Sequence, residues 1–180
     1  DELMEAMNKM QEALENLDSQ ELLESLNNFE YDLQAFEEQL DRFIEMFELA
    51  AAEQKMDELS KKMEDMINNQ KDIINDLNSE NPNFNQLSSR ERKVEEKFKN
   101  LQKTIEETKE STEKLSENTS KKMENLLNNE LNSETQESLT QSRKSLQNDN
   151  YQSSLKNTNK ALDNLNKMND MISDISESFK

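Results

Sequence analysis

The side chains best suited to chemistry in this 180-residue chain are carboxylates. Neighbouring carboxylate oxygens could bind a divalent cation weakly, whereas acid pairs for glycoside hydrolysis require a cleft. A helix face rich in carboxylates is more typical of a solvated surface, so we predict no metal site and no cofactor. Five acidic residues lie close together on one predicted helix: Glu37, Glu38, Asp41, Glu45 and Glu48.

A basic cluster near the start of a later predicted helix is the second candidate. It could bind the acidic first third of the chain or a polyanion. The interspersed Glu91, Glu95 and Glu96 favour ordinary ion pairing one helical turn apart instead. The cluster consists of Arg90, Arg92, Lys93, Lys97 and Lys99.

The residue types that the chain lacks exclude most catalytic and cofactor sites. It has no His and no Cys, which removes Ser-His-Asp catalysis, the usual zinc ligands and the ferritin-like di-iron motif. It has no Gly, which removes the phosphate-binding loop, the dinucleotide fingerprint and the EF-hand loop. We therefore expect that the chain is not an enzyme and has no catalytic residues.

The acidic charge is concentrated in the first third of the chain. The whole chain carries −18, and residues 1–60 hold 18 acidic and 3 basic side chains, a net charge of −15. This stretch should repel nucleic acids and anionic membranes. No apolar run approaches the roughly 18 residues of a transmembrane helix. The chain begins with Asp1 rather than Met, so we expect a processed chain or a piece of a larger protein. We expect its partners to be other proteins or further copies of itself.

The elements that must position these side chains are helices, and a heptad repeat of apolar residues is the clearest sign of them. Such a repeat places one apolar stripe along a helix, and the stripe requires another helix to pack against. The candidate helix-packing seam consists of Leu22, Leu26, Phe29, Leu33, Phe36, Leu40, Phe43 and Phe47.

A second seam follows in a different register, with Gln70 at the one polar position. The two frames disagree by two residues at 49–52. A shift of this kind indicates a change of supercoil or of packing partner, and we favour it over a bend because no helix-breaking residue is present. The second seam consists of Met56, Leu59, Met63, Met66, Ile73 and Leu77.

These patterns predict an all-α fold without β-sheet, an elongated and mostly antiparallel helical bundle or coiled coil. Residues 1–80 form an acidic helical region, with a short helix at about 3–17 and a long helix at about 19–78. Residues 81–88 form a linker that contains Pro82, and Ser88 with Glu91 has the spacing of a capping box for the next helix.

Residues 89–180 form a second helical region. It begins with a helix at about 89–131 that kinks or ends near 118, followed by an αα-hairpin at about 134–178. The first of these helices has a heptad seam in which three positions are threonine. That seam consists of Val94, Phe98, Leu101, Ile105, Thr108, Thr112, Leu115 and Thr119.

Two parts of the sequence carry a distinctive helical pattern: residues 33–44 with 52–59, and residues 138–151 with 160–162. Both resemble stretches of large, uncharacterised bacterial membrane-anchored proteins with N-terminal transmembrane helices and a long helical region. The resemblance implies a place in the bacterial envelope on the periplasmic side. It implies membrane anchoring only through a parent protein, and it supplies no catalytic residues.

The favoured function is a non-catalytic structural or interaction region of a larger, envelope-associated bacterial protein that acts through helix–helix packing. The alternative is an acidic binding module, an adaptor or chaperone-like region, that captures a basic or amphipathic partner helix.

Overall fold

The computed structural model describes residues 4–5, 7–8 and 19–179, and it describes side chains for 4–5, 7–8 and 32–179. Within these ranges the chain forms α-helices and no strand, which confirms the all-α prediction. Most of the short helix predicted at about 3–17 lies outside the described residues. The helices are α1 (Ser19–Leu77), α2 (Phe84–Thr112), α3 (Glu117–Asn128), α4 (Glu130–Gln147) and α5 (Tyr151–Phe179).

The chain divides into two compact units, residues 1–48 and 49–180, and α1 contributes residues to both. The second unit contains the hydrophobic core, which is built from the later part of α1 and the four following helices. The segment around Pro82 connects α1 to α2 within this unit.

Asparagine and serine, which are favoured N-cap residues, cap three of the helices. Asn83 follows Pro82 and caps α2, because its side chain accepts a hydrogen bond from the backbone N–H of Gln86 at 3.1 Å. The helix therefore begins before the predicted start near 89. Ser88 lies inside α2 and is buried, so the predicted capping box of Ser88 with Glu91 is wrong.

The region predicted as one helix from about 89 to 131 contains two helices. α2 ends at Thr112, and Ser116 caps α3 by accepting a hydrogen bond from the backbone N–H of Thr119 at 3.2 Å. The predicted interruption near 118 is thus a full helix end just before that position. Asn129 then separates α3 from α4.

The predicted αα-hairpin is formed by α4 and α5. Its turn contains Asp149 at φ 51°, the one positive φ recorded for a described residue. Glycine is the usual residue in this left-handed region, and Asp or Asn is the next choice because the short polar side chain tolerates it.

The second seam of α1 is buried along its whole length, including Gln70. The threonine-containing seam of α2 and α3 is also buried apart from Leu115, which is half-buried. Threonine is tolerated there because its hydroxyl bonds to the carbonyl one turn earlier: Thr108 Oγ1 donates to Thr104 O at 2.6 Å and Thr112 Oγ1 to Thr108 O at 3.0 Å. The hydroxyl group therefore enters the core without losing its hydrogen bond.

The interface between α4 and α5 is lined with small polar residues. Ser142 Oγ and Thr158 Oγ1 lie 2.7 Å apart, and both residues are buried. Helix axes approach more closely where the contacting side chains are small. The buried heptad of α5 consists of Ser154, Thr158, Ala161, Leu165, Met168, Ile172 and Ile175.

Candidate functional site

A row of large apolar side chains on α1 remains exposed in the first unit. We name this row the Leu/Phe stripe; its members are 40% to 75% exposed, whereas Phe98 in the core of the second unit is 0% exposed. Exposed apolar patches on folded chains mark interaction surfaces. The Leu/Phe stripe consists of Leu33, Phe36, Leu40, Phe43 and Phe47.

The predicted helix-packing seam extends further back along α1 than the side chains that the structure describes. Leu22, Leu26 and Phe29 lie on the helical backbone of α1, but their side chains are outside the described range. The remaining five members are the Leu/Phe stripe, and their packing against another helix stays a prediction. Side chains along the following stretch change from exposed to buried at Ala52, within the segment where the two heptad frames disagree.

Apolar exposure is concentrated in the first unit. Of the large hydrophobic side chains recorded as exposed, only Leu49 and Tyr151 belong to the second unit. The second unit has thus covered its apolar surface within the chain, and the first unit has not covered the Leu/Phe stripe.

The side chains beside the Leu/Phe stripe are acidic, amide-bearing or apolar. In the heptad frame, Asp32, Gln39 and Met46 line one edge, and Glu37 and Ile44 line the other. Residues 32–53 contain seven acidic side chains and one basic one. Neither edge contains a lysine or an arginine.

The carboxylates singled out as a weak cation site are all exposed on α1. Among the described residues, no three or more acidic side chains converge in a geometry that could hold a metal ion. The residues concerned are Glu37, Glu38, Asp41, Glu45 and Glu48.

A pair of polar side chains lies in the core of the second unit. Gln70 Nε2 of α1 donates a hydrogen bond to Glu91 Oε1 of α2 at 3.0 Å and lies 3.4 Å from the backbone oxygen of Thr158 on α5. Both Gln70 and Glu91 are 0% exposed. Burial raises the pKa of Glu91 to about 7, and the hydrogen bond from Gln70 offsets this effect only in part. We call this pair the Gln70–Glu91 layer.

A second carboxylate, one turn further along α2, is ionised and paired. Glu95 Oε2 accepts a hydrogen bond from Arg143 Nε at 2.8 Å, and Glu95 Oε1 accepts one from Thr140 Oγ1 at 2.9 Å. Burial opposes the charge of Glu95, but the hydrogen bonds from Arg143 and Thr140 and the charges of Arg143 and Lys99 outweigh it. The pKa of Glu95 therefore lies below its ordinary value.

Three of the five residues in the basic cluster of α2 form ion pairs, and two of these pairs lie one helical turn apart, as the sequence pattern favours. Arg92 pairs with Glu96 at 3.8 Å and Lys99 with Glu95 at 4.0 Å, each four residues apart. Arg90 pairs instead across to Asp76 of α1. The positive charge of these three side chains is partly neutralised by the chain itself, which weakens the case for a polyanion site.

Lys97 lines an open groove of about 430 Å³ between α1 and α2. Within the groove, Lys62 Nζ donates to Thr104 Oγ1 at 2.8 Å. The remaining charged lining residues are Asp65, Lys103 and Glu107. Mixed charge of this kind shows no preference for an anionic ligand.

The sequence indicates one half of the Gln70–Glu91 layer but not the other. Gln70 stood out as the polar member of an apolar seam. Glu91 has capping-box spacing from Ser88, but extending the Val94 seam backwards by three residues also places it on the buried face. The heptad frame was the signal that could have identified it.

Comparisons with known protein families, with curated proteins and with solved structures find no match to this chain. Within the described ranges, no helix is both long enough and apolar enough to cross a membrane.

Proposed function

We propose that this chain is a non-catalytic helix-packing region of a larger, envelope-associated bacterial protein, and that the Leu/Phe stripe is its interaction surface. The observation that carries this proposal is the exposure of five large apolar side chains in one unbroken heptad register. A heptad stripe fits the surface of another helix, because its side chains insert between those of the facing helix. The assignment to an envelope protein is supported only by the sequence resemblance.

The size of the Leu/Phe stripe sets a modest affinity. Full burial of a Leu or Phe side chain contributes about 1.5–3 kcal/mol, and the stripe is roughly half exposed. Burial of the exposed part of these side chains would contribute on the order of 5 kcal/mol to the free energy of association, and the partner's apolar side chains would add a similar amount. Association costs of roughly 4–15 kcal/mol oppose this gain. The residues that flank the stripe therefore have a large influence on which helix binds.

The experiment compares the unaltered chain with a Phe36→Asp/Phe43→Asp double variant. Sedimentation velocity over a wide concentration range detects self-association, and fluorescence anisotropy detects binding of labelled amphipathic heptad peptides. We expect at least one of these associations in the unaltered chain and its loss in the double variant. Glu38→Gln/Glu45→Gln is the matched control, since both residues lie on the opposite face of the same helix and should leave association unchanged.

Thermal unfolding of the second unit serves as the folding control, because neither substitution touches its core. An unaltered chain that stays monomeric and binds no heptad peptide would contradict the proposal. So would a double variant that associates as well as the unaltered chain.

A further inference from the structure

We propose that the Leu/Phe stripe binds a cationic amphipathic helix of another protein in preference to a second copy of this chain. This inference rests on the proposed function, and it identifies the chemistry of the partner. The charges that flank the stripe carry it.

A parallel pair of two copies would bring acidic residues together. Each heptad of the stripe has two apolar positions, here Leu33 and Phe36. In a parallel coiled coil, the residue just before the first apolar position on one helix faces the residue just after the second apolar position on the other helix. Asp32 of one copy would therefore face Glu37 of the other. Like charges in these positions disfavour the pairing.

An antiparallel pair of two copies would gain no opposite charges either. In that arrangement each edge faces the same edge of the second copy. One edge contributes Asp32, Gln39 and Met46, and the other contributes Glu37 and Ile44. Neither edge supplies a basic side chain that could pair with Asp32 or Glu37.

The wider charge of this part of α1 acts in the same direction. Residues 32–53 contain seven acidic side chains, and Arg42 is the one basic residue among them. Arg42 lies on the outer part of the helix in the heptad frame, away from the stripe. A partner helix with lysine or arginine beside its own apolar stripe would complement both edges and would be attracted over distance. An anionic membrane surface is disfavoured by the same charge.

Two synthetic probe peptides test the inference. Each has four heptads with leucine at both apolar positions, and they differ only in having lysine or glutamate at the flanking positions. Fluorescence anisotropy with the full chain gives the affinities at low and at physiological salt. We expect the lysine peptide to bind on the order of tenfold more tightly than the glutamate peptide, with the difference shrinking as salt screens the charges.

Variants of the chain separate stripe binding from general charge attraction. The Asp32→Lys/Glu37→Lys variant should bind the lysine peptide more weakly and the glutamate peptide more tightly than the unaltered chain does. Glu38→Lys/Glu45→Lys makes the same charge change on the opposite face of α1 and should largely keep the preference. A lysine peptide whose leucines are replaced by serine should not bind, because it cannot fill the stripe.

Four outcomes overturn the inference. Equal binding of the lysine and glutamate peptides would show that the flanking charges do not select the partner. Equal binding of the serine-substituted peptide would show charge attraction without the stripe. Self-association that requires Phe36 and Phe43, together with no binding of the lysine peptide, would make the occupant a second copy. That last outcome leaves the proposed function intact, whereas absence of every association removes both.

Discussion

Gln70 Nε2 lies 3.0 Å from Glu91 Oε1, and both side chains are completely buried between helices whose other contacts are mainly apolar. A polar pair in such a core favours one alignment of the two helices over others. A shift of α1 by one heptad would place Met63 or Leu77 opposite Glu91, and both polar groups would lose their partner. We therefore expect the Gln70–Glu91 layer to favour the observed register of α1 against α2.

The raised pKa of Glu91 makes the stability of the second unit depend on pH. The folded chain holds the proton of Glu91 up to about pH 7, whereas the unfolded chain releases it near the ordinary value of 4.5. Between these two values the folded state binds more protons, so its stability falls as the pH rises. The total loss is about 3 kcal/mol, and it is complete above pH 7.

Glu91→Gln should remove this part of the pH dependence, because glutamine has a similar shape and no charge to bury. Urea unfolding at several pH values from 4.5 to 8 measures the pH dependence of stability in the variant and in the unaltered chain. Glu96→Gln, on the exposed side of the same helix, is the control and should keep the original slope. A Glu91→Gln profile as steep as that of the unaltered chain would refute the assignment.

The Glu95–Arg143 pair should contribute to the attachment of α4 to α2. Arg143→Ala removes the 2.8 Å hydrogen bond to Glu95 and leaves a carboxylate that is largely shielded from water. We expect a loss of about 2 kcal/mol in the free energy of unfolding. Arg92→Ala breaks an exposed pair with Glu96 and should cost about 0.5 kcal/mol or less. Similar losses in the two variants would mean that the Glu95–Arg143 pair stabilises the fold no more than the exposed Arg92–Glu96 pair does.

The same Glu95 predicts a second pH effect with the opposite sign. Its pKa is below the ordinary value in the folded chain, so the pair stabilises the fold above the unfolded-state pKa. That contribution is lost as the pH falls through the folded-state pKa. In Arg143→Ala the decline of stability on acidification should therefore be shallower than in the unaltered chain, measured by thermal unfolding below pH 5. A decline of unchanged steepness would argue against the pair as its source.

Two phenylalanines in heptad stripes should behave differently on truncation. Phe98 is 0% exposed, so Phe98→Ala should destabilise the second unit by about 3–5 kcal/mol. Phe36 belongs to the first unit and is 55% exposed. Phe36→Ala should therefore change the free energy of unfolding of the second unit by less than about 0.5 kcal/mol at low protein concentration. Chemical denaturation followed by circular dichroism compares them. A large loss from Phe36→Ala would show that the chain buries the stripe in solution.

The turn between α4 and α5 should accept glycine and reject a β-branched residue. Asp149 has φ 51°, a conformation that costs roughly 1–2 kcal/mol for most L-residues. Asp149→Val should therefore destabilise the hairpin by about that amount, whereas Asp149→Gly should be neutral or slightly stabilising. Melting temperatures of the two variants provide the test, and equal melting temperatures would contradict the turn geometry.

Much of the fold could be predicted because its signals are local. The spacing of apolar residues along α1 and α2 indicates helices directly, and Pro82 marks the break between them. The predicted start of α2 is too late because Ser88 and Glu91 have the spacing of a capping box, whereas Asn83 is the actual cap. The buried face of α5 was harder to predict, since Ser154 and Thr158 are not apolar and only their small size suits the close contact with α4.

The sequence by itself determined that this chain is helical, that its charge is concentrated in the first third and that its heptad frame shifts near 49–52. Each of these properties depends on residue type and spacing along one helix. Only the tertiary structure decided that the second seam of α1 is buried while the Leu/Phe stripe stays exposed, and that Gln70 contacts Glu91. Burial and pKa depend on which distant segments enclose a side chain, and two stripes of equal periodicity do not reveal which one the chain itself will cover.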